Sequence, residues 1–165
     1  MVAAPLDTQR LLLTPLRVAD AREMARILAD PALYAYIDDT PLDEEQLAAR
    51  YESQTSRWDS ATTKWRNWVV RLKPAQCAIG YVQATIEPHE CILAWVINPQ
   101  WQGNGYATEA ALGVIEQTYA QLGITRFSST IDRRNAPSRG VAQHLGMAIA
   151  AERCGTEDYW TMDME

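Results

Sequence analysis

The chain is poor in the residues that build metal centres and disulfide frameworks. Among 165 residues there are three cysteines, two histidines and a single phenylalanine. Cys77, Cys91 and Cys154 are odd in number and widely spaced, which fits neither a zinc site nor a disulfide scaffold. They read as reduced thiols of a cytoplasmic protein, and no metal is expected. His89 falls in a turn and His144 in a short helix, so both read as surface residues. Positive charge is also scarce. Fifteen Lys and Arg stand against 21 Asp and Glu, a formal net charge of −6. Generic nucleic-acid binding needs a basic face that this balance does not supply. A cationic substrate suits the acidic balance, and so does plain solubility. No apolar run reaches the ~18 residues of a membrane helix. The first residues lack the basic start and continuous apolar core of a signal peptide.

What is present is ordinary for a soluble domain, with 47% hydrophobic and 22% charged residues. Residues 1–165 read as one domain with a real core. Trp58, Trp65, Trp68, Trp95, Trp101 and Trp160 fit a core or a cleft wall. Trp65 and Trp68 lie three apart in a strand-like run, so they face opposite sides and one can line a cleft.

The pattern along the chain alternates strands and helices. Arg10 to Leu16 is a short apolar run, a first strand that Pro15 ends or places at an edge. "DAREMARILAD" reads as a helix with Asp20 as N-cap, Glu23 at capping-box spacing, and Met24, Ile27 and Leu28 as its buried stripe. A second helix follows, with Thr40 as cap, Pro41 at the first helical position, and Asp43, Glu44 and Glu45 in the first turn. Asp38 and Asp39 have no such capping role. Lys64 to Leu72, Cys77 to Ile86 and Glu90 to Ile97 then form an antiparallel meander. Gly80 inside it marks a bulge or a close backbone approach.

From Tyr106 the period becomes helical, through Ala107, Ala110, Ala111, Val114, Ile115, Thr118, Tyr119 and Leu122 to a terminating Gly123. A strand from Ile124 to Ile131, a short helix from Asn135 to Gly146, and two last strands around Gly155 complete the chain. The order is β-α-α-β-β-β-α-β-α-β-β, a mixed α/β (α+β) domain with a mainly antiparallel sheet flanked by helices.

One stretch carries chemistry. In "NPQWQGNGYATEA", Gly103 and Gly105 stand between a strand and a long helix. Backbone N–H groups there have no intrahelical partner, and together with the helix dipole they make an anion site. Glycine lets a phosphate approach where a Cβ would block it. No Gly-Lys-Ser/Thr follows, and Thr108 stands where a dinucleotide fingerprint has its third small residue.

The segment Gln100 to Gly105 resembles the acetyl-CoA signature Gln/Arg-x-x-Gly-x-Gly/Ala of the GNAT acetyltransferases. "RLLLTPLRVADA" and "NAPSRGVAQHLGM" are similar to segments of the Rim-type ribosomal-protein N-acetyltransferase branch, with Met147 in place of a phenylalanine. The resemblance spans nearly the whole chain in three blocks. It implies acetyl-CoA as cosubstrate, with its diphosphate on the N–H groups of Gln102, Gly103, Asn104, Gly105, Tyr106 and Ala107, next to Thr108. The pantetheine arm would add as an extra strand beside Trp95, Val96 and Ile97. Asn135 and Ser138 would face the thioester end.

The implied reaction is aminolysis of a thioester. An amine must lose a proton, an oxyanion needs a donor near Val96 or Ile97, and a thiolate must be protonated. The tyrosine that many members use for the last step is replaced here by Ala142. In the Rim branch a serine at the Ser138 position substitutes for it, whereas from the residues alone Ser138 is equally a helix-start hydroxyl. As for a base, Glu87 and Glu90 flank a turn, Glu109 complements a helix dipole, Glu152 lies on a late strand, and a water chain could serve instead.

Asp38 and Asp39 border the expected acceptor region and are candidates to attract a cationic amine. The acceptor is a protein N-terminus or a small amine, in a monomer or homodimer that binds neither nucleic acid nor membrane. An antibiotic- or polyamine-modifying acetyltransferase and a non-catalytic acetyl-CoA sensor are the alternatives.

Overall fold

The computed structural model describes residues 3–56 and 59–165, with the side chains of 151–154 outside the description. Trp58 and the side chains of Glu152 and Cys154 therefore lie outside the described residues. A two-residue strand, β1 (Leu6–Asp7), precedes the expected order. Then come β2 (Leu11–Pro15), α1 (Ala21–Ile27), α2 (Glu44–Thr55), β3 (Lys64–Leu72), β4 (Cys77–Ile86) and β5 (Cys91–Ile97). The second half holds α3 (Tyr106–Leu122), β6 (Arg126–Asp132), α4 (Ala136–His144), β7 (Ala148–Cys154) and β8 (Glu157–Asp163). The strands form one sheet in the order β1-β2-β3-β4-β5-β6-β8-β7.

The sheet is antiparallel except between β5 and β6. That parallel pair is joined only through Cys91↔Phe127 and Ile92↔Ser128. Beyond Ile92 the two strands are no longer paired, so β5 keeps an open edge from Leu93 to Ile97. A parallel neighbour requires a crossover, and α3 supplies it.

Alternation along the strands sorts the core into two layers. On one face Val82, Ala84, Leu93 and Phe127 pack against Ala110, Ala111, Val114 and Ile115 of α3. The alanines of α3 let the helix approach the sheet closely. On the other face Val69 and Ala78 pack under Met24 and Leu28 of the α1 segment and Leu47 and Tyr51 of α2. Cys91 is fully buried, and burial pushes its thiol up to about 12, which leaves it inert. Trp68 is buried on the α3 side and donates from Nε1 to the Ala4 carbonyl at 2.8 Å. Trp65 is on the other face, as its spacing predicts.

Gly80 satisfies both of its expected readings. The register slips between Val70 and Arg71, leaving Ile79 as the extra residue. A Cβ at Gly80 would stand 1.9 Å from the Val96 carbonyl oxygen, so only glycine fits there.

Both early helices correct the sequence reading. Asp20 makes no side-chain cap for α1. It accepts instead from the Arg17 N–H and, at 2.9 Å, from Arg71 Nη2. Glu23 accepts from Arg71 Nη1 and from the Ala78 N–H. Both acids reach distant strands, β3 and β4, and Asp20 also closes the turn before α1 through Arg17. In α2 the cap is Asp43, not Thr40, in a reciprocal capping box with Gln46. Pro41 therefore precedes the helix. Pro15 is the last residue of β2 and pairs with Trp68, so it ends the strand, and β1 reaches only Leu12 and Leu13 on the other side. Among the described residues no helix is long and apolar enough to cross a membrane, and no group of three or more His, Cys, Asp or Glu could hold a metal.

Candidate active site

The glycine turn sits where β5 ends and α3 begins, beside the open edge of β5. Gly103 and Gly105 have φ of +78° and +79°, the left-handed region that other residues enter at a cost. The first intrahelical bond runs from the Glu109 N–H to the Gly105 carbonyl. The N–H groups of Gly103, Asn104, Gly105, Tyr106, Ala107 and Thr108 thus have no partner among the described residues. Gln102 departs from the expected set. Its N–H donates to the Pro99 carbonyl, and its Nε2 donates to the Ile97 carbonyl at 2.8 Å. It ties the turn to β5 and does not offer its amide to an anion. A Cβ at Gly103 would meet nothing within 4 Å, so the turn is open there. Such a cradle fits a diphosphate.

A residue to which the sequence reading gave no role braces this turn. Arg10 donates from its N–H and from Nε to the Glu109 carboxylate, at 2.7 and 2.6 Å. Its Nη1 donates to the Asn104 carbonyl at 2.9 Å, and its guanidinium lies 4.6 Å from the Tyr106 ring centre. Thr8 Oγ1 also donates to Glu109, at 2.6 Å. Arg10 is 99 residues from Glu109, and no local signal links them.

Glu109 is therefore a brace and not a free base. Burial pushes its carboxyl up, but the hydrogen bonds from Thr8 and Arg10 outweigh this and hold it below its ordinary value of 4.5. A carboxyl depressed on folding stabilises the fold above its unfolded pKa, and that stabilisation is lost as pH falls through the folded value. The melting temperature is expected to fall below about pH 4.5, less steeply in Glu109→Gln. Thermal melts across pH 3 to 7 read the difference, and parallel curves would count against the brace.

The alternation of β5 selects which groups face the opening. The Asn98 N–H donates to Ile79 on β4, so the polar backbone groups of Val96 also point to β4. Those of Trp95 and Ile97 point to the open side. Of the two positions considered for the oxyanion, the N–H of Ile97 points to the open side and that of Val96 points to β4. Asn135 caps α4, accepting from the Ser138 N–H at 3.2 Å. The Ser138 hydroxyl is half-buried and has no hydrogen-bond partner among the described residues. Glu90 is taken by the Tyr159 hydroxyl. Glu87 is an exposed turn residue.

Across β4 and β5 from α3, under α1 and α2, lies a cavity of about 260 Å³. Tyr34, Tyr51 and Tyr81 line it, together with Asp39 and Arg50. Tyr81 pairs in register with Val96, which sets the cavity against the same stretch of β5. Burial, then the neighbouring Tyr34, pushes the Tyr81 phenol up to about 12, and burial raises Tyr51 further. Both stay protonated near neutral pH.

Asp39 does have a structural role. It accepts from Arg50 Nη1 and from the Thr40 N–H, at 2.9 Å each, and these bonds hold its carboxyl low. Asp38 is exposed.

Comparison with known proteins decides the family. Residues 10–148 match the model of the acetyltransferase (GNAT) domain. The chain belongs to the GNAT acetyltransferase family. Family members use acetyl-CoA. The chain is 27% identical over 144 residues to the "Uncharacterized N-acetyltransferase YnaD" of Bacillus subtilis (strain 168), covering 86% of this chain and 81% of that protein. Among solved structures, a GNAT-family acetyltransferase from Bacillus anthracis superposes with a TM-score of 0.83 at 20% identity, covering 97% and 98% of the two chains. The ribosomal alpha-N-protein acetyltransferase RimL, in complex with coenzyme A, superposes with a TM-score of 0.82 at 13% identity, covering 98% of each chain. At these identities the two structures establish the shared GNAT fold.

Proposed function

We propose that this GNAT protein transfers the acetyl group of acetyl-CoA directly to a primary amine held in the tyrosine-lined cavity. The observation that carries the reading is the row of six unpartnered N–H groups, Gly103 to Thr108, beside the open edge of β5. Acetyl-CoA supplies an activated acetyl thioester. The amine nitrogen bonds to the acetyl carbon, the carbon–sulfur bond breaks, the amine loses a proton and the sulfur gains one.

The chain's own groups serve each part. The N–H groups of Gly103 to Thr108 hold the diphosphate, with charge-assisted bonds worth about 1.5–3 kcal/mol each. The open edge of β5 offers the backbone of Trp95 to the amides of the pantetheine arm. The Ile97 N–H is the donor for the developing oxyanion. The Ser138 hydroxyl, positioned by the Asn135 cap, donates to the departing sulfur. Among the described residues Asp39 is the one carboxylate lining the cavity, and Arg50 occupies it. The amine's proton therefore leaves through ordered water, with proximity supplying much of the acceleration. Asp38 and Asp39 at the mouth favour a cationic acceptor through their field. This is acetyl transfer to an N-terminal or small-molecule amine.

Thiol release from acetyl-CoA with a panel of amines, followed by mass spectrometry of the products, tests the proposal. Turnover of an amine with a gain of one acetyl group is expected. Binding of acetyl-CoA without turnover of any amine would identify a sensor instead. Asp39→Asn leaves Arg50 as an uncompensated cation at the mouth. It is expected to raise the acceptor KM several-fold at low salt, with the difference shrinking as salt screens it. A salt-independent KM would remove Asp39 from the acceptor site.

A further inference from the structure

The cavity does not end at the tyrosines. A second depression of about 180 Å³ adjoins it and shares three of its lining residues, Gln54, Asn67 and Gln83. The two form a groove along the α2 face of β3 and β4. Asn67 and Gln83 stand directly opposite each other on those strands. Gln54, near the end of α2, faces them. All three are half-buried, and none of their carboxamides has a hydrogen-bond partner among the described residues. Hydrogen bonds within the protein account for the side chains of Asp20, Glu23, Asp43, Gln102 and Glu109. They do not account for these three.

A carboxamide carries one acceptor oxygen and two donor hydrogens. Three of them in a row, partly withdrawn from water, match a ligand with alternating N–H and C=O groups. They match a single ammonium or a hydrocarbon poorly. The groove's length agrees. From Tyr81 to Thr85 the β4 strand advances by about 13 Å, the span of roughly four extended residues. Charge narrows the choice further. Among the described residues, Asp39 and Arg50 are the only charged ones lining the two depressions, and they pair with each other. A polyamine or a polycationic antibiotic would need several carboxylates along the groove.

On the acetyltransferase reading above, we propose that Gln54, Asn67 and Gln83 form a peptide-backbone subsite. It receives the first amides of an extended polypeptide whose free N-terminal amine enters at Tyr81. The carboxamides read the main chain of the acceptor, not its side chains. The acceptor is then a protein or peptide N-terminus, and small amines are poor substrates.

The test varies the ligand first, so that it does not depend on a variant folding. A free-amine pentapeptide is compared with versions in which each of the first three amides in turn is replaced by an ester. The ester removes an N–H donor without adding bulk. At least one ester is expected to lower kcat/KM by about 3–10-fold, the loss of one net hydrogen bond. The KM for acetyl-CoA stays fixed. In Gln83→Leu the ratio of amide to ester kcat/KM is expected to collapse toward unity at that position, which a general loosening of the fold would not produce. Asn67→Leu provides the same readout independently. The subsite is overturned if no ester costs more than twofold. It is also overturned if both variants keep the wild-type ratio, or if simple alkylamines match the pentapeptide. A wild-type protein that binds no acetyl-CoA in calorimetry overturns the acetyltransferase reading, and the subsite with it. Normal cofactor binding with flat ester ratios overturns the subsite alone.

Discussion

Replacing Gly103 by valine is expected to raise the Kd for coenzyme A by at least about 100-fold while the protein remains folded. The two halves of this expectation have separate physical grounds. A Cβ at Gly103 meets no protein atom within 4 Å, so the side chain has room in the ligand-free protein. The cost to the fold is the left-handed φ of +78°, about 1–2 kcal/mol for a residue with a Cβ. The cofactor suffers far more. The same open space is where a phosphate would approach the N–H groups of Gly103 to Thr108. A branched side chain there holds the anion off by more than a hydrogen-bond length. Losing two charge-assisted bonds, at about 1.5–3 kcal/mol each, corresponds to at least a hundredfold in affinity. Calorimetric titration with coenzyme A, alongside circular dichroism and a thermal melt, separates the effects. A Kd within a few-fold of wild type in a folded variant would show that the diphosphate does not rest on this turn.

The features legible in the sequence are those whose partners lie within a few residues. The helix from Tyr106 to Leu122, bounded by Gly105 and Gly123, was readable because its period and both termini are local. Asn135 as the cap of α4 and the short turns of the meander were readable for the same reason. The acids are different, because a carboxylate can accept from a nearby N–H or from a cation elsewhere in the chain. Asp20 and Glu23 have capping-box spacing, yet both accept from Arg71, some 50 residues on. Glu109 was read as a dipole-complementing acid, and it is also clamped by Thr8 and Arg10 from the far end of the chain. For Asp20 and Glu23 the partly desolvated guanidinium of Arg71 in fixed geometry outweighs a solvated cap. Gln102 shows a subtler limit. The signature marks it as part of the turn, but only the three-dimensional position of the Ile97 carbonyl reveals that its amide is a tie. The groove of Gln54, Asn67 and Gln83 had no sequence signal, because it arises from the pairing of β3 with β4 under α2.

Replacing Arg71 by alanine is expected to lower stability by about 3 kcal/mol and the melting temperature by roughly 10 °C. Arg71 is 14% exposed and joins four groups. It donates to Asp20 Oδ1 and Glu23 Oε2 at 2.9 and 2.8 Å, to Thr14 Oγ1 at 3.1 Å, and to the Gln76 carbonyl at 3.2 Å. Its removal leaves Asp20, also 14% exposed, as a poorly solvated carboxylate without its cation. Most of the loss comes from that stranded charge, so neutralising it restores part of the stability. The double variant with Asp20→Asn is expected to be less destabilised than the sum of the two single changes. The effect reaches the active site by a short route. Arg71 holds the start of α1 to the sheet, and the end of that segment carries Leu28, whose carbonyl accepts from the Tyr34 hydroxyl in the cavity wall. A loosened α1 therefore raises the acceptor KM, while the KM for acetyl-CoA, set on the opposite side of β5, changes little. Denaturant titration measures the first effect and steady-state kinetics the second. Equal changes in both Michaelis constants would mean that α1 does not act through the acceptor cavity.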